Sequence, residues 1–218
     1  MRILVMSVSK KMHYVDVMDI DKSVNAPTLR LGQRTGLPDD LRILLGRYPR
    51  EIWRSHKNLG DMATFWLSRH DMFREVGRAL HGGNEDFSAG KSSANEFVGW
   101  FTPRLRFLLS HLATHHQIED QHYFPIFRAA DARLASGFDL LENDHHVIHE
   151  AMDKTVVSAN ALLKHIRSET IDISAIVNDC VRLNGTLVDL LIKHLDDEED
   201  LIVPMILDRG EEELGVAH

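Results

Sequence analysis

His115-His116-Gln117-Ile118-Glu119-Asp120-Gln121-His122-Tyr123-Phe124-Pro125 and His194-Leu195-Asp196-Asp197-Glu198-Glu199-Asp200-Leu201-Ile202-Val203-Pro204 share one pattern. Each has a His, a Glu four residues on, an acid directly after that Glu, and a Pro ten residues from the His. On a helix, four residues make roughly one turn, or about 6 Å of rise, so His and Glu project from one face. An imidazole and a carboxylate stacked in this way suit one metal ion, or an ion and its neighbour. Two copies on two helices amount to half of a binuclear site.

The rest of the chain supplies the other half. Helical periodicity begins near Pro49 and is clear from Asp61, an N-cap residue type, with Met62, Trp66, His70, Phe73 and Leu80 on one stripe. His81-Gly82-Gly83 predicts the end of that helix, followed by a polar loop from Asn84 to Ser93. Thr102-Pro103 reads as the start of a second helix, with Leu105, Leu108 or Leu109, Leu112, His115 and Glu119 on its stripe. Pro125 and Ala135-Ser136-Gly137 read as its end. A third helix is expected from about Phe138 to Ser168, its stripe carrying Leu141, His145, Ile148 or His149, Met152, Val156, Leu163 and Ile166. A fourth, from about Ser174, carries Ile176, Cys180, Leu183, Leu187, Leu190 or Leu191, His194 and Glu198.

Every stripe includes a His, which directs an imidazole into the core. Four amphipathic helices with modest connections predict an all-α, antiparallel up-down-up-down four-helix bundle. In that topology His70 and His145, near their helix starts, share an end with His115 and His194, near theirs. The bundle is expected over residues 49–210, after an N-terminal extension, 1–48, of unknown role and before an acidic tail, 211–218. Within the extension, Ile3-Leu4-Val5 reads as a short strand and Asn25-Ala26-Pro27 as a turn.

Composition narrows the function. A net charge of -8 argues against a nucleic-acid backbone as partner, which needs clustered Lys and Arg. The single Cys180 excludes an internal disulfide and any cysteine-rich zinc or iron–sulfur site, and a reducing cytoplasm is the simpler reading. The N-terminal apolar run is too short for a signal peptide, and no stretch approaches the roughly 20 apolar residues of a membrane span. There are 14 His, and they cluster.

The inward set is His70, His115, Glu119, His145, His149, His194 and Glu198. Five imidazoles and two carboxylates suit two first-row transition ions, iron above all. Bridging carboxylates and a small oxo or hydroxo bridge would offset the cation charge in an apolar site, leaving one position open. Glu199, one residue past Glu198, is the alternative second bridge. Ile148 is the alternative inward residue to His149. His56, His111, His116, His122 and His146 are expected at the rim or behind the ligands. A ferritin-like arrangement is disfavoured: its Glu-x-x-His motifs would fall on consecutive helices, at Glu119/His122 and Glu142/His145, leaving His194 without a role.

This set resembles the hemerythrin and hemerythrin-like (HHE cation-binding) family, over roughly residues 55–208. The resemblance rests on His70, on His115 with Glu119 and Pro125, on His145 with His149, and on His194 with an acid and Pro204. It implies a non-haem di-iron centre of five His and two bridging carboxylates, with one iron open to dioxygen. In the oxygen carriers the last acid falls five residues after its His, whereas Glu198 stands at four and Glu199 at five. The paired cysteines of the family's iron–sulfur repair proteins are absent. The expected partner is dioxygen or a related diatomic such as nitric oxide, bound or sensed. The alternatives are a di-iron redox enzyme, reducing oxygen or peroxide or repairing iron centres, and iron storage or sensing. Binding is favoured over catalysis.

Overall fold

The structure, a computed structural model, describes residues 29–168 and 173–217. The strand and turn expected within residues 3–5 and 25–27 lie outside the described residues. The described residues contain six α-helices and no strand: α1 (Asp61–Ser88), α2 (Ala94–Ile118), α3 (Phe124–Ala130), α4 (Ala135–Arg167), α5 (Ser174–Arg209) and α6 (Glu211–Leu214). One π turn, Glu119–Tyr123, joins α2 to α3. Helix α1 packs on α2 and α5, and α4 packs on α5 and α2.

The helices are longer than their sequence punctuation predicts. Helix α1 runs through Gly82-Gly83 to Ser88 because the glycines serve packing rather than termination. A Cβ on Gly83 would stand 2.3 Å from Trp100 Cζ3, so only glycine lets that ring lie against the α1 backbone. The left-handed residue that follows the helix is Gly90, with φ +71°. Helix α2 begins at Ala94, where Ser93 and Glu96 form a reciprocal capping box. Phe97, Phe101, Leu105, Leu108 and Leu112 are buried along one face of α2, and that packing carries the helix through Pro103. The π turn begins at Glu119, and Pro125 falls in the first turn of α3, where a missing N–H is best tolerated.

Residues 29–60 are part of the packed core. Leu37, Leu41, Leu44, Tyr48 and Trp53 join Met62, Trp66, Phe124, Phe138 and the last turns of α5 in one hydrophobic cluster. Leu31 joins a second cluster with Phe73, Leu191 and Leu195. Polar contacts fix the segment on α5: Tyr48 Oη donates to Asp208 (2.8 Å) and Arg50 Nε to Asp200 (2.7 Å).

The acidic end has a structural task. Gly60, the residue before α1, offers no side-chain cap, and Glu211 of α6 supplies one. The backbone N–H groups of Ala63 (2.8 Å) and Met62 (3.3 Å) donate to its carboxylate, where the positive end of the helix dipole favours an anion. Gly60 must lack a Cβ there, since one would sit 2.3 Å from a Glu211 oxygen. Glu211→Ala is therefore expected to lower unfolding free energy by about 1–2 kcal/mol, the cost of a lost cap. Denaturant titration measures this, and an unchanged midpoint would contradict it.

Candidate metal centre

Four helices bring their histidines to one place. His70 from α1, His194 from α5 and His145 from α4 are buried beside His115 and His116 at the end of α2. Glu119, at the first position of the π turn, and Glu198, one turn after His194, are buried among them. The potential ligand atoms fall into two groups, each within 4.8 Å mutually: His70, His115, Glu119 and Glu198; and His116, His145 and His194.

The two carboxylates lie between the groups. Glu119 Oε1 is 2.9 Å from His115 Nε2 and 4.0 Å from His70 Nε2, while its Oε2 is 3.7 Å from His145 Nε2. Glu198 Oε2 is 3.6 Å from His70 Nε2 and 3.4 Å from His194 Nε2. Two donors each about 2.1 Å from one ion stand about 3 Å apart at a right angle, which is the scale of these separations.

Each of three imidazoles turns its other nitrogen to an acid. His70 Nδ1 is 3.0 Å from Glu199, His145 Nδ1 is 2.7 Å from Asp120, and His194 Nδ1 is 3.5 Å from Asp144. A carboxylate accepts only, so the proton belongs on Nδ1 and Nε2 presents a lone pair to the centre. His70 and His115 then face each other Nε2 to Nε2 at 3.0 Å, and His145 and His194 at 3.1 Å. Facing lone pairs repel unless a proton or a cation lies between them.

The same arrangement leaves polar atoms stranded. Glu119 Oε2, both oxygens of Glu198 and His116 Nε2 are buried without a hydrogen-bond partner. A buried unpaired polar group costs about 1–3 kcal/mol, and more when charged, so four together demand an explanation. Bound cations supply one. The donors, imidazole nitrogen and carboxylate oxygen, fit first-row transition ions, iron among them.

Electrostatics agrees with the geometry. Burial lowers His116 and His145 well below the ordinary imidazole range, with neighbouring imidazoles adding to the effect, so both stand neutral and able to ligate. Burial also pushes Glu198 up to about 8, and the charge of Glu119 adds to the shift. Burial opposes a charged His194, but the neighbouring carboxylates of Asp144 and Glu198 outweigh it and raise His194 to about 10.

Aromatic rings wall the centre. Trp66 lies against His70 with centroids 4.2 Å apart, Phe73 lies 5.1 Å from His115, and Phe124 lies 5.4 Å from His145. Trp66 also donates its indole N–H to Glu119 Oε1 at 2.7 Å, fixing that carboxylate's plane.

Of the seven residues singled out in the sequence, six meet in these groups: His70, His115, Glu119, His145, His194 and Glu198. His149 lies outside both. It is half-buried, with Nε2 3.3 Å from His116 Nδ1, while Ile148 faces the core. His116 takes the inward place, its ring stacked on His145 at 3.9 Å and 8°. Glu199 sits behind His70, where Arg74 also donates to it at 2.7 Å. His122 is exposed, away from the ligand groups. The one signal pointing to His116 was its place beside His115, on a helix that faces two neighbours.

A family model described as the hemerythrin HHE cation binding domain matches residues 61–206. No curated protein and no solved structure gives a match.

Proposed function

The chain belongs to the hemerythrin HHE cation-binding domain family, and from that premise we propose that it is a non-haem di-iron protein. It binds or senses dioxygen, or a related diatomic such as nitric oxide, at an open iron position. The supporting fold is an antiparallel up-down-up-down four-helix bundle of α1, α2, α4 and α5.

His70 and His115 would hold one iron, and His116, His145 and His194 the other. Glu119 and Glu198, placed between the two groups, would serve both, with a small oxo or hydroxo group expected beside them. The observation that carries this reading is the set of buried, unpartnered donors, Glu119 Oε2, Glu198 Oε1 and Oε2 and His116 Nε2, between two clusters of imidazole. Iron held there would supply a redox-active ion with a vacant coordination position. The His70 and His115 side offers two imidazoles, and the other side offers three. A small ligand would have more room on the His70 and His115 side, which has one imidazole fewer.

The protein's own groups make that side selective. Trp66 and Phe73 lie against its two histidines and exclude bulky or polar ligands, which favours a small apolar diatomic. Trp66 gives its N–H to Glu119, so it steadies the bridge rather than offering a proton to a ligand. One observation favours a second reading, a di-iron redox enzyme: half-exposed His149 touches His116 and reaches toward solvent from the three-histidine side.

No helix of the described residues is long and apolar enough to cross a membrane. The reading places the protein in the cytoplasm, without membrane or nucleic acid as partner.

Anaerobic reconstitution with ferrous iron is expected to give about two irons per chain, one for each donor group. Admitting air should produce a new optical band that disappears when oxygen is removed. Direct conversion to a stable ferric spectrum would move the assignment to redox chemistry. One tightly held zinc, with no iron after reconstitution, would overturn the di-iron reading.

A further inference from the structure

Arg34 precedes the residues matched by the family, yet it is buried, with only 3% of its surface exposed. Its guanidinium is spread over two helices. Nη1 and Nη2 both donate to Asp144 of α4, the former at 2.8 Å, and Nε donates to Asp197 of α5 at 2.7 Å. Nη1 also donates to the Leu29 carbonyl at 3.1 Å, which ties the fork to its own segment. Asp144 is fully buried, and one of the oxygens held by Arg34 lies 3.5 Å from His194 Nδ1.

The three acids behind the histidines are thus held differently. Glu199, behind His70, is gripped twice, by Arg74 (2.7 Å) and Arg50 (3.1 Å). Asp120, behind His145, is partly exposed and reaches its imidazole directly at 2.7 Å. Asp144 reaches His194 only at a longer distance, and both of its oxygens are committed to one arginine. A lone buried carboxylate is costly, and a bidentate guanidinium sets both its charge and its plane.

We propose that Arg34 is a positioning residue for the metal on the His194 side, acting through Asp144 to orient the His194 imidazole. It rests on the di-iron reading above and deepens it. The segment before α1 thereby forms part of the site, although it supplies no ligand.

The test uses the full chain loaded anaerobically with isotopically enriched ferrous iron and read by Mössbauer spectroscopy, one quadrupole doublet for each iron. Arg34→Gln should shift or deplete one doublet and leave the other in place, with that iron lost to a chelator about 10–100-fold faster. Arg34→Lys, which keeps the charge without the fork, should restore iron retention in part. Because Arg34→Gln strands two buried acids and could fail to fold, Asp144→Asn and Arg34→Gln/Asp144→Asn are made beside it. The neutral amide pair relieves that burden at Asp144 and leaves only Asp197 without its arginine. If Arg34 acts through Asp144, the double variant should match Asp144→Asn in both doublets and chelator rate. Equal perturbation of both doublets, or additive effects in the double variant, would overturn the proposal and leave the di-iron centre standing. Failure of the unmodified protein to take up two irons would overturn both readings, and it would be seen before any variant is examined.

Discussion

Glu119→Ala and Glu198→Ala are each expected to abolish the binuclear centre while the helices stay folded. Both carboxylates stand between the two histidine groups, and three of their four oxygens have no hydrogen-bond partner in the protein. In the proposed di-iron centre, removing either would take a donor from both ions at once, so the loss should exceed that from any single histidine. Iron retention against a chelator should fall more than about 100-fold, beyond the range for outer-sphere partners. Folding survives because the core is distributed: Phe101, Leu105, Phe138, Leu141, Leu187 and Leu191 are fully buried in positions spread along three helices. Glu199→Ala is the control. Its carboxylate meets His70 Nδ1 and two arginines rather than the ligand atoms, so retention should fall by about 10–100-fold and no more. Metal analysis and circular dichroism on the three variants decide the matter. Full iron in Glu198→Ala with none in Glu199→Ala would transfer the bridging role to the acid five residues after His194.

Much of this centre is legible in the sequence because a helix repeats simply. A His and a Glu four residues apart share a face whatever surrounds them, so His115/Glu119 and His194/Glu198 announce themselves. Apolar periodicity then directs His70 and His145 inward. What periodicity does not resolve is a difference of one residue on a helix packed between two neighbours. His115 and His116 both reach the centre because α2 faces α1 on one side and α4 on the other. Arg34 gives no periodic signal, since it stands in Leu31-Gly32-Gln33-Arg34-Thr35-Gly36, and its two acidic partners are more than 100 residues away in the chain. The helix ends mislead for a related reason. Gly82-Gly83 and Thr102-Pro103 carry strong local signals, but Trp100 against Gly83 and the buried phenylalanines of α2 outweigh them.

The choice between His116 and His149 has the larger consequence for chemistry, and it is open to a direct comparison. His116 is fully buried, its Nε2 is unpartnered, and one of its ring nitrogens lies within 4.8 Å of potential ligand atoms of both His145 and His194. His149 is half-buried and touches the centre only through His116 Nδ1, at 3.3 Å. His116→Leu should therefore remove a ligand from the three-histidine iron, opening a second vacancy. That variant is expected to lose one iron to a chelator more than about 100-fold faster than the unmodified protein, beyond the outer-sphere range. Any iron it keeps should oxidise faster in air. His149→Leu removes only the partner that fixes the His116 ring and tautomer, and its chelator rate should rise about tenfold, with two irons still bound at saturation. Iron stoichiometry, chelator kinetics and the rate of spectral change in air separate the two cases. A His149→Leu protein that saturates at one iron, beside a His116→Leu protein that holds two, would return His149 to the ligand set and make His116 the residue that supports it.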